Sequence, residues 1–189
     1  MTKNHAVIAE VCDAVGNGLL DDARIVLQQR YPFTPVNREK RQYNDYQKTC
    51  VFLRDGFVDR YSGEKLVFPP VLRLLSKLMP EEFSFHKNWK ISECHAAYWQ
   101  LFPSIDHIVP VARGGANEES NWVCTSQLRN SAKSNWLLEE LGWRLHDPGD
   151  LRDWDGLLGW FMNYALRNPE TLDDAYSHSW YNAVKKARM

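Results

Sequence analysis

The chain has 189 residues, 44% of them hydrophobic and 25% charged, with a formal net charge of −1. That apolar share, with eight Trp, eight Tyr and eight Phe, fills a packed core and excludes a disordered or low-complexity chain. The near-balanced charge excludes a protein that holds DNA by bulk positive charge, so basic residues must gather on one face or a partner protein must supply affinity.

No stretch approaches a membrane span, and the start lacks the apolar core of a secretory signal. Cys12, Cys50, Cys94 and Cys124 show no paired metal spacing. A reducing, cytoplasmic setting without membrane contact is therefore expected.

Residues 5–15 and 20–31 carry apolar side chains at helical spacing around an Asn17-Gly18 break, which predicts an antiparallel helix pair. Two prolines, Pro32 and Pro35, then force an extended connection. From Val36 to Arg54 the chain mixes Arg38, Lys40, Arg41 and Lys48 with Tyr43 and Tyr46. Two readings stand for this stretch: a phosphate-contacting surface with aromatic stacking, or a solvated helix turning Tyr46, Cys50 and Leu53 to the core. Residues 57–68 alternate and turn at Ser62-Gly63, which predicts a hairpin. Pro69-Pro70 starts an apolar helix to Met79. A cluster of Cys94, His95, Cys124 and Cys50 has no zinc-site spacing, and no structural zinc is expected.

Residues 104–136 concentrate the chemistry. Asp106-His107 sits on an apolar strand, and Pro110 with Gly114-Gly115 makes an irregular loop. Asn121 opens a second strand through Cys124. Thr125 or Ser126 then caps a helix predicted to carry Leu128, Trp136, Leu137, Leu138 and Leu141. Hydrolysis of a phosphodiester needs an activated water and charge to offset the transition state. His107 suits the general base, and Asp106 with Asn130 supplies hard oxygen ligands for Mg²⁺ or Mn²⁺. Neighbouring strand side chains point to opposite faces, so the Asp-His pair is expected where the pleat breaks.

This stretch resembles the HNH (ββα-metal) endonucleases, most closely the HNH domain of RNA-guided CRISPR nucleases. Asp106, His107, Asn121, Asn130 and Lys133 stand at the spacings of that branch. The resemblance implies a ββα-metal core, DNA as partner, and an Asn121 that pins the loop through its amide rather than binding metal. The expected setting is restriction, phage defence or a mobile element. Asp59-Arg60-Tyr61-Ser62-Gly63 resembles the strand pair that precedes the motif in such proteins. Zinc-bearing relatives carry a cysteine pair there, and this chain has none.

Residues 139–156 are acidic and are expected to point away from DNA. Two aromatic-rich helices, 157–166 and 171–186, follow, with Trp154, Trp160, Phe161, Tyr164, Trp180 and Tyr181 read as core or partner interface. The sequence thus predicts an α+β protein: an N-terminal helical region (1–55), an HNH core (56–142) and a C-terminal helical cap (143–189). Its expected activity is divalent-metal-dependent DNA hydrolysis by His107, Asp106, Asn121 and Asn130. DNA is expected to lie against Lys133, Arg129 and Arg113 with Arg38, Lys40, Arg41 and Lys48. The alternatives are an inactive HNH module and a nucleic-acid-binding subunit that depends on a partner for targeting.

Overall fold

The computed structural model describes residues 4–33 and 42–188. Arg38, Lys40 and Arg41 of the expected DNA face, and Pro35 of the expected connection, lie outside the described residues. The chain divides into two compact units, Met1–Lys40 and Arg41–Met189. Among the described residues no helix is long and apolar enough to cross a membrane.

In the first unit α1 (Asn4–Gly16) and α2 (Leu20–Arg30) pack on each other across the Asn17-Gly18 turn. Val7 and Ala23 are their buried residues, and Arg30 pairs with Glu10.

The second unit is mixed α+β. Its α3 (Asp45–Arg54) opens on a reciprocal cap. Gln47 N–H donates to Asn44 Oδ1 at 2.9 Å, and Asn44 N–H donates back to Gln47 Oε1 at 3.1 Å. The sequence reading grouped this helix with the N-terminal pair. In the structure α3 packs against both strands, β1 (Pro103–His107) and β2 (Trp122–Ser126), and against α8 (Ala175–Ala187). Its burial of Val51 and Phe52 explains why: those side chains belong to the aromatic core. Phe52, Phe57, Phe68, Phe161 and Trp180 meet there in pairs of rings 5.6 to 6.1 Å apart, several edge to face. Two more helices close the core, α4 (Pro69–Leu78), with its prolines where no N–H is needed, and α7 (Leu158–Arg167). A short α5 (Ala97–Gln100) packs on α6 (Gln127–Lys133).

Three sequence expectations are corrected. The 57–68 hairpin is a single bridge, Val58 to Lys65, rather than two strands. Its backbone is drawn elsewhere: Arg60 N–H donates to Cys124 O at 2.9 Å and His146 N–H donates to Arg60 O at 2.8 Å. The helix predicted to run through Leu141 stops at Lys133, because Ser134 adopts a φ of 48°. Leu128 and Trp136, placed on that helix by the sequence, are 45% and 53% exposed. Finally, the pleat does not break at the Asp-His pair. β1 and β2 form a regular antiparallel ladder, with Asp106 opposite Val123 and His107 opposite Trp122.

Candidate functional site

The regular ladder sorts the motif onto two faces. Ser104 and Asp106 share the face that α6 covers. Ser126 starts that helix, its hydroxyl accepting from Arg129 N–H at 3.1 Å. Asn130 and Lys133 are three residues apart on α6 and so share the face turned to β1. Asn130 Nδ2 donates to Ser104 Oγ at 3.0 Å and to Ile105 O at 3.2 Å. Lys133 Nζ lies 2.9 Å from Asp106 Oδ2 and donates to His107 O at 2.7 Å. The same Asp106 oxygen accepts from Tyr61 OH at 2.8 Å. Burial, then the Asp106 charge, pushes the Tyr61 hydroxyl far above its ordinary pKa, so it remains a donor.

Lys133 was expected to line a DNA cleft. It is fully buried instead, and its ammonium also lies 5.5 Å above the Tyr61 ring. A Lys on a helix face three residues from a polar Asn reads as surface; what pulls it inward is a carboxylate far away in sequence.

His107 leaves β1 on the other face and is 3% exposed. Its Nε2 lies 2.9 Å from Asn117 Oδ1 and 3.3 Å from Tyr43 OH, and Tyr43 OH donates to Asn117 Oδ1 at 3.4 Å. An amide oxygen only accepts, so the Asn117 bond requires the Nε2–H tautomer and leaves Nδ1 as the basic nitrogen. The Tyr43 ring packs edge-on against Trp122 at 4.8 Å, which holds it over the imidazole.

The loop between the strands is closed by Asn121. Val109 N–H donates to Asn121 Oδ1 at 2.9 Å, while Nδ2 donates to Val109 O at 2.9 Å and Ala116 O at 2.8 Å. The amide thus ties both limbs of the loop and is turned to backbone. Only glycine fits at 115: a Cβ there would stand 1.9 Å from Val109 O.

Beneath the sheet two carboxylates of the 55–63 segment tie the short hairpin around the Val58–Lys65 bridge to β2. Asp59 Oδ1 accepts from Tyr61 N–H and Thr125 Oγ1 at 2.9 Å each, and its Oδ2 from Ser126 N–H at 2.9 Å. Asp55 Oδ2 accepts from Cys124 N–H at 2.7 Å; its Oδ1 pairs with Arg54 at 2.9 Å and Arg60 at 3.0 Å. Burial and then these acids push the Cys124 thiol up, which disfavours the thiolate. None of Tyr43, Asp55, Asp59, Tyr61 or Asn117 was singled out from sequence for the site. The sequence offered Tyr43 only as part of a basic aromatic stretch, and Asp59 and Tyr61 only as part of the segment that resembles the strand pair before the motif.

The other expected DNA contacts are engaged within the protein. Arg113 holds Glu140 at 3.0 Å, and that hydrogen bond, with one from Leu137 N–H, keeps the Glu140 carboxyl below its usual value. The Arg129 guanidinium lies 5.3 Å over the Trp143 ring, and Lys48 pairs with Asp45 at 3.3 Å.

The oxygen donors available to a divalent ion are the Asp106 carboxylate, whose side chain is 13% exposed, and the Asn130 amide carbonyl. Among the described residues no three His, Cys, Asp or Glu side chains converge on a metal position. A carboxylate with an amide oxygen fits Mg²⁺ or Mn²⁺, which retain water and take phosphate oxygens. Compared with known proteins, the chain matches no family model, no curated protein and no solved structure.

Proposed function

We propose that the chain is a divalent-metal-dependent endonuclease of the HNH type, with a ββα-metal core formed by β1, β2 and α6 and with DNA as substrate. The observation that carries this reading is the gathering of Asp106 and Asn130 on one α6-covered face, next to His107 in the same strand. Asp106 and Asn130 would hold Mg²⁺ or Mn²⁺, which when bound offsets the charge developing on phosphate. A phosphodiester laid across the end of β1 meets Asp106 from one face and His107 from the other. Nδ1 of His107 accepts the proton of the attacking water, while the Asn117 bond at Nε2 holds the tautomer. Lys133 holds the Asp106 carboxylate in place. Asn121 sets the loop without taking part in chemistry.

A second reading, a nucleic-acid-binding subunit that needs a partner, rests on the same geometry seen differently. Lys133 already neutralises Asp106, and Asn117 with Tyr43 covers His107. Incubating purified protein with supercoiled plasmid and Mg²⁺ or Mn²⁺ decides between them. The nuclease reading expects nicking or linearisation that EDTA abolishes and that falls ~10²–10⁴-fold in His107→Ala. Binding without cleavage of DNA under either metal would overturn it in favour of the subunit.

A further inference from the structure

Beside the first residues of β1, Pro103 to Ile105, lies a cavity of about 360 Å³ whose walls are basic and aromatic, among them Arg73, Lys48, Phe85, Trp89, Tyr176 and Trp180. That volume falls in the range of small-molecule sites. Arg73, half-buried, stacks its guanidinium 3.6 Å from the Phe85 ring centre and 5.4 Å from that of Tyr176. It makes no ion pair or hydrogen bond among the described residues, so its fork of N–H donors is unfilled. Lys48 stands 5.6 Å over the Trp180 ring and is only partly offset by Asp45 at 3.3 Å. Trp180 is 2% exposed, and its indole N–H is buried without a hydrogen bond. The Tyr176 hydroxyl is near enough to feel that N–H, but the geometry falls short of a hydrogen bond. A half-buried guanidinium held only by ring faces keeps N–H donors that an incoming anion can meet.

We propose that this cavity takes one unstacked nucleotide of a single-stranded DNA segment, its base against the aromatic walls and its phosphate on Arg73 and Lys48. Flat ring faces receive a base of any identity, and a planar guanidinium meets a phosphate through two parallel bonds. The cavity also shares Tyr43 and Ile105 with the His107 side of β1. A strand anchored there leads its next phosphate towards the imidazole. The inference rests on the nuclease reading for its consequence, not for its binding chemistry.

The test titrates the full chain in EDTA with a fluorescent dT oligonucleotide, a blunt duplex of the same length, thymidine monophosphate and inorganic phosphate. The proposal expects the single strand to bind about tenfold tighter than the duplex or the mononucleotide, and phosphate alone not to compete. Arg73→Gln should lose about tenfold in single-strand affinity, and Arg73→Lys, which keeps the charge, should recover part of it. Both variants are checked by urea unfolding, so that loss of fold is not read as loss of contact. Equal binding by Arg73→Gln, preference for duplex, or a mononucleotide that binds as tightly as the oligonucleotide would each overturn the proposal. His107→Ala separates the two claims, because it should bind the single strand like wild type. Arg73-dependent binding without metal-dependent cleavage leaves the cavity standing and removes the nuclease. Cleavage with Arg73-independent binding does the reverse.

Discussion

Replacing Lys133 by Met asks whether the ammonium is an interior support or a surface contact. The structure buries Lys133 fully, 2.9 Å from Asp106 Oδ2 and 2.7 Å from His107 O. Removing one member of a buried pair strands the other charge and costs ~3–5 kcal/mol. The Asp106 side chain keeps 13% of its exposure and retains the Tyr61 hydroxyl, so the loss should lie at the low end, about 3 kcal/mol. A surface Lys would instead change stability by less than ~0.5 kcal/mol. All eight tryptophans lie in the second unit, so their fluorescence reports its unfolding alone. With a slope of about 2 kcal/mol per molar urea, the midpoint should fall by roughly 1.5 M. Adding Asp106→Asn removes the stranded charge and should recover much of the loss. A Lys133→Met midpoint equal to wild type, or a double variant as unstable as the sum of the singles, would refute the buried pair.

Three further expectations follow from the same geometry. Asp59→Ala leaves Tyr61 N–H, Thr125 Oγ1 and Ser126 N–H without their acceptor, and at ~1–3 kcal/mol for each buried orphan the urea midpoint should drop severely; a mild effect would mean water replaces the carboxylate. Gly115→Ala forces the 108–121 loop off Val109 O, so limited proteolysis should cut that loop faster while the tryptophan-reported midpoint moves little; an unchanged cleavage pattern would count against the close approach. Asp174 is opposed by burial, but the Ser177 N–H and Lys77 outweigh it and hold its carboxyl below the ordinary 3.8, so its contribution is present above that pH and lost as pH falls through the folded value. Asp174→Asn should therefore destabilise at pH 7, and the difference from wild type should shrink as pH falls below 3.8; a constant difference would rule out the charge.

Much of the local order was legible because it depends on neighbours in sequence. The Asn17-Gly18 break, the Pro69-Pro70 start and the strand–loop–strand–helix order around Asp106 each follow from spacing and backbone chemistry. The end of α6 was not legible, since Leu137, Leu138 and Leu141 continue the helical pattern past the turn at Ser134. Nor was the destination of Lys133 or of Asp59. An inward Lys is decided by an acid on another element, and an Asp in a turn gives no sign that its carboxylate will cap a strand 66 residues on. The Tyr43–Asn117–His107 cluster is invisible for the same reason, being assembled across 64 and 10 residues of chain.

The partition of β1 bears on how such a site would have to work. On the α6 face everything near Asp106 is already held: Tyr61, Lys133 and Asn130 lock against strand atoms, and Asp59 fixes the start of the helix that carries two of them. Rigidity of this kind suits groups that must hold a fixed position. On the other face His107 is covered by the side chain of Asn117, itself exposed in the loop that Asn121 ties at both limbs. Admitting substrate beside His107 therefore takes a small shift of an exposed loop, with the Asn117 bond at Nε2 kept, whereas uncovering Asp106 from Lys133 means separating a buried ion pair. The two halves of the motif thus differ sharply in what it costs to expose them. Under the proposed function, substrate would enter from the His107 side, where the basic aromatic cavity also lies, and would meet the carboxylate face last.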